Sequence, residues 1–381
     1  MSETSAKTKD PSKFTGNRPI LKWAGGKYAE LGHISRFLPQ KINTFIDPFV
    51  GGGSILYNVK AERYCINDID RDLMWFYIMT WKGDLWKKVH AMCLTIDLAR
   101  HYIRNVAFKK SLPSEAEFVS AGVHAAGMIS SHLFDPDVIF DLEKEYLYRL
   151  KRIGALGVKN TDQFMRTGLH AVIYRMVRHA YNEEIAANRY TPKRVAAWFC
   201  MRDIAFGGMQ RFTSNNLFSV PYGGSAYDSR DIKKRCDRFE KYRKGMTRRI
   251  FDVNCMDFEE FLPMALERYG DNRDNFIFLD PPYDTAFSSY STKSDFNFDQ
   301  YQALRNTMMS VNCRFMMVMK VTPGIKKLFM KTGAGWYYHF FDKKYRVNIR
   351  NRNDRSAQHV LIMNYRGGRD KKDGANLLER L

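Results

Sequence analysis

The sequence predicts an α/β protein: a mostly parallel sheet with one antiparallel strand, carrying an inserted, mainly helical lobe. Three observations lead there. The apolar runs ending at Phe45-Ile46, Arg63-Tyr64-Cys65-Ile66-Asn67 and Phe276-Ile277-Phe278-Leu279 each stop at acidic, glycine or proline punctuation, as buried strands do. Helix-period segments alternate with strands, and the last two apolar runs, Trp336–Phe341 and His359–Tyr365, form a hairpin-like pair. The stretch from about 90 to 200 reads as mixed helix without a repeat.

A chain of 381 residues can bury a full core, here one α/β domain of about 250 residues plus the inserted lobe. The expected division is a polar, disordered tail over 1–17, the α/β domain from 18–90 and 250–366, the helical insertion 91–249, and a polar C-terminal tail over 367–381.

The elements follow in order. Leu21-Lys22-Trp23-Ala24-Gly25-Gly26-Lys27 is a loop that can lay an indole and an ammonium against a ligand, or simply enter a helix. Phe45-Ile46-Asp47-Pro48-Phe49-Val50-Gly51-Gly52-Gly53-Ser54 is a short strand running into three glycines, which allow a sharp turn and close approach of backbone to a ligand. Ile55-Leu56-Tyr57 is expected to open a helix. The second strand, Arg63–Asn67, ends at Asp68, 17 positions after Gly51. That is close to the roughly 20-residue spacing at which an acid caps a ribose diol. Strand, glycine turn, helix, strand and acid together describe a nucleoside-cofactor site, with a helix N-cap as the competing role for Asp68. Asp70 is a second candidate cap, opening a long helix from Asp70 to about Val89 whose Leu73, Phe76, Tyr77, Thr80 and Trp81 recur at helical spacing as core.

Within the insertion, Ala171–Arg178 and Val195–Phe199 read as helical cores, with Pro113, Pro136 and Pro192 marking loops. Residues 202–249 carry twelve Lys/Arg against five acids. Lys233 and Lys234 belong to a basic run that is either a solvated helix face or a phosphate contact, and the overall charge favours phosphate. Arg211 precedes the polar loop Thr213-Ser214-Asn215-Asn216, whose Asn215 and Asn216 amides can pair with adenine edges while the Arg reads guanine. A second basic loop contains Lys344, Arg346 and Arg350 and is positioned to grip nucleic-acid backbone. Asp280-Pro281-Pro282-Tyr283 follows the strand Phe276–Leu279. It offers an anionic acceptor, a carbonyl stiffened by two prolines and an aromatic face, which suit an exocyclic amine on a flat heterocycle. A strand followed by a Pro-Pro stop fits the tetrapeptide alone equally well. Beyond it come a helix from Asp299 to about Val311, the strand Cys313–Met319, a helix near Pro323–Lys331 and the closing hairpin.

Bulk composition agrees. With 61 Lys+Arg against 41 Asp+Glu the formal charge is +20 and the isoelectric point near 9.6, so a polyanionic partner is expected. No stretch approaches the roughly 18 apolar residues of a spanning helix, and the N-terminus lacks a signal-like apolar core. Six cysteines without a close pair, and nine histidines without a His-Glu-x-x-His arrangement, argue against a disulfide scaffold and a zinc site. A reducing cytoplasm, bacterial or in a phage-infected host, is the expected location.

Lys-Trp-Ala-Gly-Gly-Lys at 22–27, Asp-Pro-Phe-x-Gly-Gly-Gly-Ser at 47–54, Asn-Asp-Ile-Asp at 67–70 and Asp-Pro-Pro-Tyr at 280–283 stand in one order. That set resembles the DNA adenine-N6 methyltransferases of the Dam-like D12 class. Phe218-Ser219-Val220-Pro221-Tyr222-Gly223, Tyr290-Ser291-Thr292 and the strand Val360–Tyr365 add to the likeness, which covers about 18–90 and 193–366. The resemblance implies a Rossmann-like S-adenosylmethionine-dependent fold, with the insertion as target-recognition domain. It also implies adenine methylation in duplex DNA by base flipping, and no metal. A monomer or weak dimer on DNA is the expected form. The cofactor set it implies is Trp23, Lys27, Asp47, Pro48, Phe49, Gly51, Gly53, Asp68 and Asp280, and the catalytic set Asp280, Pro281, Pro282 and Tyr283. Two features depart from the pattern: Arg202-Asp203-Ile204-Ala205-Phe206-Gly207-Gly208 lacks the second Asn of the family's Asn-Arg-x-x-Tyr-Asn-Gly, and 91–190 is longer than in short members. Similar tetrapeptides serve cytosine-N4, RNA-base and glutamine methylation. An inactive DNA-binding relative and a nicotinamide-dependent oxidoreductase are the readings from other classes.

Overall fold

The computed structural model describes residues 16–23, 25–81, 83–105, 108, 112–129, 137–246, 250–282, 296–330, 335–344 and 356–367. Tyr283, Tyr290–Thr292, Arg248, Arg249, the basic loop with Arg346 and Arg350, most of both tails, and the side chain of Lys344 lie outside the described residues.

Seven strands form one sheet: β1 (Thr44–Asp47), β2 (Arg63–Asn67), β3 (Ile250–Asn254), β4 (Phe276–Leu279), β5 (Arg314–Lys320), β6 (Tyr337–Lys344) and β7 (Ser356–Met363). Their order is β3-β2-β1-β4-β5-β7-β6. β1 pairs in parallel with β2 and β4, β2 with β3, and β4 with β5. β7 alone runs backwards, antiparallel to both β5 and β6, which is the expected closing hairpin folded onto the sheet. β1 and β4 are buried throughout, and their continuous apolar character is what a parallel strand covered on both faces requires.

Eleven helices are described: α1 (Leu31–Phe37), α2 (Arg71–Trp81), α3 (Gly83–Asn105), α4 (Glu115–Ile129), α5 (Val138–Leu156), α6 (Thr161–Ala186), α7 (Pro192–Ile204), α8 (Ile232–Met246), α9 (Phe258–Tyr269), α10 (Phe298–Ser310) and α11 (Pro323–Phe329). Helices α9, α10 and α11 cover one face of the sheet, through Phe261, Leu262, Leu304 and Phe329 against Ile277, Leu279 and Met317. The other face is covered by α1, α2 and the inserted helices, in one continuous core that runs from Phe45 and Phe278 through Phe76 and Trp198 to Tyr174 and Phe118. The insertion, α3 to α8, therefore shares its apolar interior with the sheet domain.

Helix starts are written locally. Asn160 accepts from Gln163 N, and Thr191 and Thr322 accept from Arg194 N and Ile325 N ahead of prolines in the first turn. Asn297 and Gln300 form a reciprocal capping box.

One expectation fails. Ile55-Leu56-Tyr57 open no helix; residues 54–58 fold as successive turns that bury all three apolar side chains. Over the span expected as a helix from Asp70 to about Val89, helical residues run through α2 to Trp81 and on from Gly83 in α3, with Lys82 between them outside the described residues, and the two stretches have different partners. Trp81 stacks on Phe251 of β3 at 4.0 Å, while Trp86 donates its indole N–H to Glu240 of α8 at 2.7 Å. Replacing Asn297 with Ala removes the bond its side chain accepts from Gln300 N, leaving only the one its backbone N–H gives to the Gln300 side chain, and an equilibrium urea titration should show about 1 kcal/mol of stability lost.

Candidate active site at the carboxyl edge of the sheet

Strand order reverses between β1 and β4, and ligands of open α/β sheets bind outside the carboxyl ends at such a point. Asp47 closes β1 and Asp280 follows β4, so the two leading sequence candidates meet at that crevice. Burial pushes the Asp47 carboxyl well above its ordinary range, with Asp280 and Asp68 adding to the push.

The glycine turn is held from several sides. Val50 N donates to Asn67 O (3.0 Å), Tyr77 Oη donates to Gly51 O (2.9 Å), and Gly51 N donates to Asp68 Oδ2 (3.0 Å). Asn67 Nδ2 donates to the Pro48 carbonyl at 3.1 Å, and Phe49 N donates to Asp47 Oδ1 at 3.1 Å. Gly51 and Gly53 have φ of +47° and +75°, conformations that side chains resist. A Cβ on Gly52 would come within 2.9 Å of the Leu21 carbonyl, and one on Gly51 within 2.8 Å of the Trp23 indole. The 22–27 loop thus lies directly on the glycine turn.

Asp68 is engaged by backbone: besides Gly51 N, its Oδ1 accepts from Asp70 N at 3.0 Å. Asp70 itself caps α2, accepting from Leu73 N at 2.9 Å. Burial, helped by Asp70, raises the Asp68 carboxyl to about 7.

Lys27 is 2% exposed and forms an ion pair with Asp280, whose side chain is 20% exposed; its ammonium also donates to Gly25 O at 2.7 Å. Burial raises Asp280 to about 6, against the opposing pull of Lys27. Behind this pair lies a second buried cluster. Glu30 pairs with Lys343 of β6 and lies 3.1 Å from Nδ1 of His359 on β7. Burial would raise Glu30, but the bond with His359 and the nearby Lys27 and Lys343 ammoniums hold it at about 2. In the tetrapeptide, Tyr301 donates to the Pro282 carbonyl, while no donor reaches the Pro281 carbonyl among the described residues.

Sequence reasoning missed Glu30, His359 and Tyr301, whose neighbours lie on distant strands or loops. It also misplaced Arg202 and Arg235, counted among phosphate-facing cations, and Lys343, read as the start of the second basic loop but paired inside with Glu30. Arg202 is buried, stacks over Trp23 at 4.5 Å and donates to Lys22 O at 2.5 Å. Arg235 pairs with buried Asp203 at 2.6 Å. Both brace the interior, so the altered 202–208 motif supports the Trp23 loop from beneath.

Arg211, Asn215 and Asn216 stand together on an exposed turn. Phe212 and Phe218 bridge its two arms, Thr213 N donates to Leu217 O at 2.8 Å, and Asn216 takes φ +59° at the tip. Asn182 anchors the turn through both backbone groups of Phe218. Lys22 Nζ donates to Gly207 O at 3.0 Å, joining the base of this segment to the 22–27 loop. Lys233 and Lys234 are exposed on α8, Lys233 in an ion pair with Asp237.

Residues 23–349 match the family of D12 class N6 adenine-specific DNA methyltransferases. The chain belongs to that family. A type II methyltransferase of Paramecium bursaria Chlorella virus NC1A is 24% identical over 356 residues, covering 91% of this chain and 100% of the relative. A DNA adenine methylase of Haemophilus influenzae is 23% identical over 300 residues, or 77% of this chain and 75% of the relative. A DNA adenine methylase of Salmonella typhi is 49% identical over 61 residues, 16% of this chain and 22% of the relative. The reaction is therefore methyl transfer to the N6 amine of adenine in DNA, and membership implies S-adenosylmethionine as the methyl donor. The sheet order and its one reversed strand agree with a methyltransferase of this class. Among the described residues no helix is long and apolar enough to cross a membrane, and no group of three or more His, Cys, Asp or Glu could hold a metal.

Because a Cβ on Gly53 would lie 2.7 Å from both Tyr57 and Tyr77, with φ already at +75°, Gly53→Ala should cost about 2 kcal/mol by urea unfolding. Gly83→Ala, where nothing lies within 4 Å of the added carbon, is the matched control and should leave stability unchanged or raise it.

Proposed function

We propose that this D12-class enzyme flips its target adenine out of duplex DNA and orients the N6 amine with Asp280 and the Pro281 carbonyl. The observation that carries the reading is the Lys27–Asp280 pair beside the glycine turn at the β1–β4 switch point. With its carboxyl at about 6, Asp280 is ionised at neutral pH and accepts a hydrogen bond rather than donating one. Tyr301, by taking the Pro282 carbonyl, leaves the Pro281 carbonyl as the second acceptor. Two acceptors on one NH2 group orient it, and its lone pair then points to the electrophile. Asp280 is not asked to act as a strong base, because the amine loses its proton readily once it has been alkylated. Tyr283, next in sequence, supplies the aromatic face for the base.

The residues fit S-adenosylmethionine. When bound, it supplies an electrophilic methyl group on a sulfonium. Asp47, Asp68 and Asp280 form a buried acidic edge whose carboxyls are all raised by burial, an environment that a cation relieves. Each Asp68 oxygen accepts one backbone N–H and keeps a lone pair for a ribose hydroxyl. Trp23, Lys27, Pro48, Phe49, Gly51 and Gly53 would complete the holding set. The insertion 91–249 would serve as the target-recognition lobe, with the Arg211–Asn216 turn reading bases and Lys233, Lys234, Lys344, Arg346 and Arg350 meeting backbone. The working form would be a monomer or weak dimer on DNA.

Asp280→Ala should lower kcat/KM for methylation by about 1000-fold or more, with the duplex Kd changed by less than about twofold. Nucleoside mass spectrometry of treated DNA measures the first, and anisotropy the second. Full N6-methyladenine production by this variant would refute the role.

Cofactor affinity should depend on pH in a defined direction. A cation binds the ionised carboxylates, so affinity is full above about 7 and falls as pH drops through 7 and then 6, where Asp68 and Asp280 protonate. Calorimetry from pH 8 to 5 tests this. An affinity flat across the window would remove the acidic edge from cofactor binding.

A further inference from the structure

A cavity of about 380 Å³ lies in the inserted lobe, away from the sheet edge, lined by Arg104 of α3, Gln163, Arg166 and His170 of α6, and Ser225, Asp228 and Ser229. That size is within the range of small-ligand sites. Its electrostatics are unusual for an interior. Arg100, one turn before Arg104, is fully buried, and among the described residues it has no ion pair. Nη2 of Arg100 donates to the Tyr227 and Asp228 carbonyls, but Nε and Nη1 have no hydrogen-bond partner. Among the described residues Arg104 likewise has no carboxylate partner, and it reaches the Asp228 and Arg230 carbonyls and His101. Arg166 spends one side of its guanidinium on Asp162 and Nη1 on the Ile103 and Arg104 carbonyls.

Asp228, the acid in the cavity wall, makes no ion pair with these cations among the described residues, although its carboxyl feels the Arg100 charge. Its oxygens are taken by neutral donors: Tyr222 Oη at 2.6 Å on Oδ1, and Thr167 Oγ1 at 2.6 Å and Gln163 Nε2 at 2.7 Å on Oδ2. His170 lines the same space, is 1% exposed, and has neither ring nitrogen bonded. Burial and the three guanidiniums hold its pKa down to about 2, so the ring is neutral and has one N–H to give. Buried guanidiniums are ordinarily paired, and buried N–H groups ordinarily bonded. One counter-ion in the cavity would meet Arg104, Arg166 and His170 together, with the buried Arg100 charge just behind them.

We propose that this cavity is a binding site for a phosphate-type oxyanion, separate from the methyl-transfer centre. Guanidiniums on two helices match the tetrahedral oxygens of phosphate, and Ser225 and Ser229 add neutral hydroxyls at the rim. The ligand would be either a small free phosphate species or a phosphate of the DNA backbone, and the test separates them.

Inorganic phosphate, compared with chloride at matched ionic strength, should raise the Tm of the full chain by roughly 2–4 °C in a saturable way. Arg104→Gln, at a half-exposed position, and His170→Leu should each abolish that rise, while Arg104→Lys keeps part of it. The Tm in chloride reports whether each variant folds. Loss of the phosphate response in folded Arg104→Gln identifies a free-anion site. If phosphate has no effect, but Arg104→Gln weakens duplex binding about fivefold or more and lowers the salt slope by about one, the oxyanion is a DNA phosphate. If neither response appears in the wild type or Arg104→Gln, the proposal is wrong. Because neither readout uses methylation, its failure is distinguishable from failure of the Asp280 assignment.

Discussion

The ion pair between Lys27 and Asp280 is the constraint on which the site depends. Desolvating two charges costs several kcal/mol, and a lone carboxylate at the end of β4 would take up a proton instead of accepting hydrogen bonds. Lys27 opposes that. It also has to be delivered from a loop more than 250 residues away in sequence, so everything that places the 22–27 loop serves this one contact. The glycine turn provides a surface without side chains under Leu21 and Trp23. Arg202 clamps the indole and the Lys22 carbonyl. Glu30, three residues along, fixes the other end of the turn to β6 and β7. Removing one partner of such a pair leaves a buried uncompensated charge, which is why the loop and the strand ends behave as one unit.

Much of this was legible in the sequence because it is local. β2 and β4 run over the residues expected, and the helices expected from Asp299 and near Pro323 start at Phe298 and Pro323 behind the caps Asn297 and Thr322, whereas Pro192, expected to mark a loop, opens α7 behind the Thr191 cap. The acids Asp47, Asp68 and Asp280 could be placed at strand ends because a buried strand must stop where its first charge appears. What could not be read depends on long-range partners. The apolar stretch Ile55–Tyr57 has helical composition, yet it has only five residues, 54–58, of turn in which to cross from the glycine turn toward β2. β3 and α9 were not singled out: β3 carries Asp252 in its middle, and that acid is tolerated only because Arg268 and Tyr269 of α9 fold back on it at 2.9 Å. The Lys/Arg tally in 202–249 likewise counted Arg202 and Arg235 as surface charge, since composition cannot tell an outward cation from one paired inside.

The turn proposed to read DNA is built the opposite way from the sheet edge. Its tip residues, Arg211, Asn215 and Asn216, are exposed, while their support is buried: Phe218, Val220 and Tyr174, with Tyr174 Oη on the Val220 carbonyl at 2.7 Å. A turn built this way can change its tip without disturbing the core. The links from Lys22 to Gly207 and from Arg202 to Lys22 make the base of the turn and the loop over the glycines mechanically continuous.

Glu30 and Asp280 illustrate how one buried neighbourhood assigns two carboxylates different work. Both are desolvated, and both feel Lys27 and Lys343. Glu30 also has His359 and an ion pair with Lys343, so its charge is satisfied within the protein and its carboxyl falls to about 2. A group in that state holds structure and has little left to offer a ligand. Among the described residues Asp280 has one ion-pair partner, Lys27, retains 20% of its surface, and rises to about 6. Its charge is kept but incompletely satisfied, so an NH2 donor that arrives is gained rather than exchanged. The difference lies in the count of partners and not in the residue type, and it is what favours Asp280, of the two, for the role proposed for it.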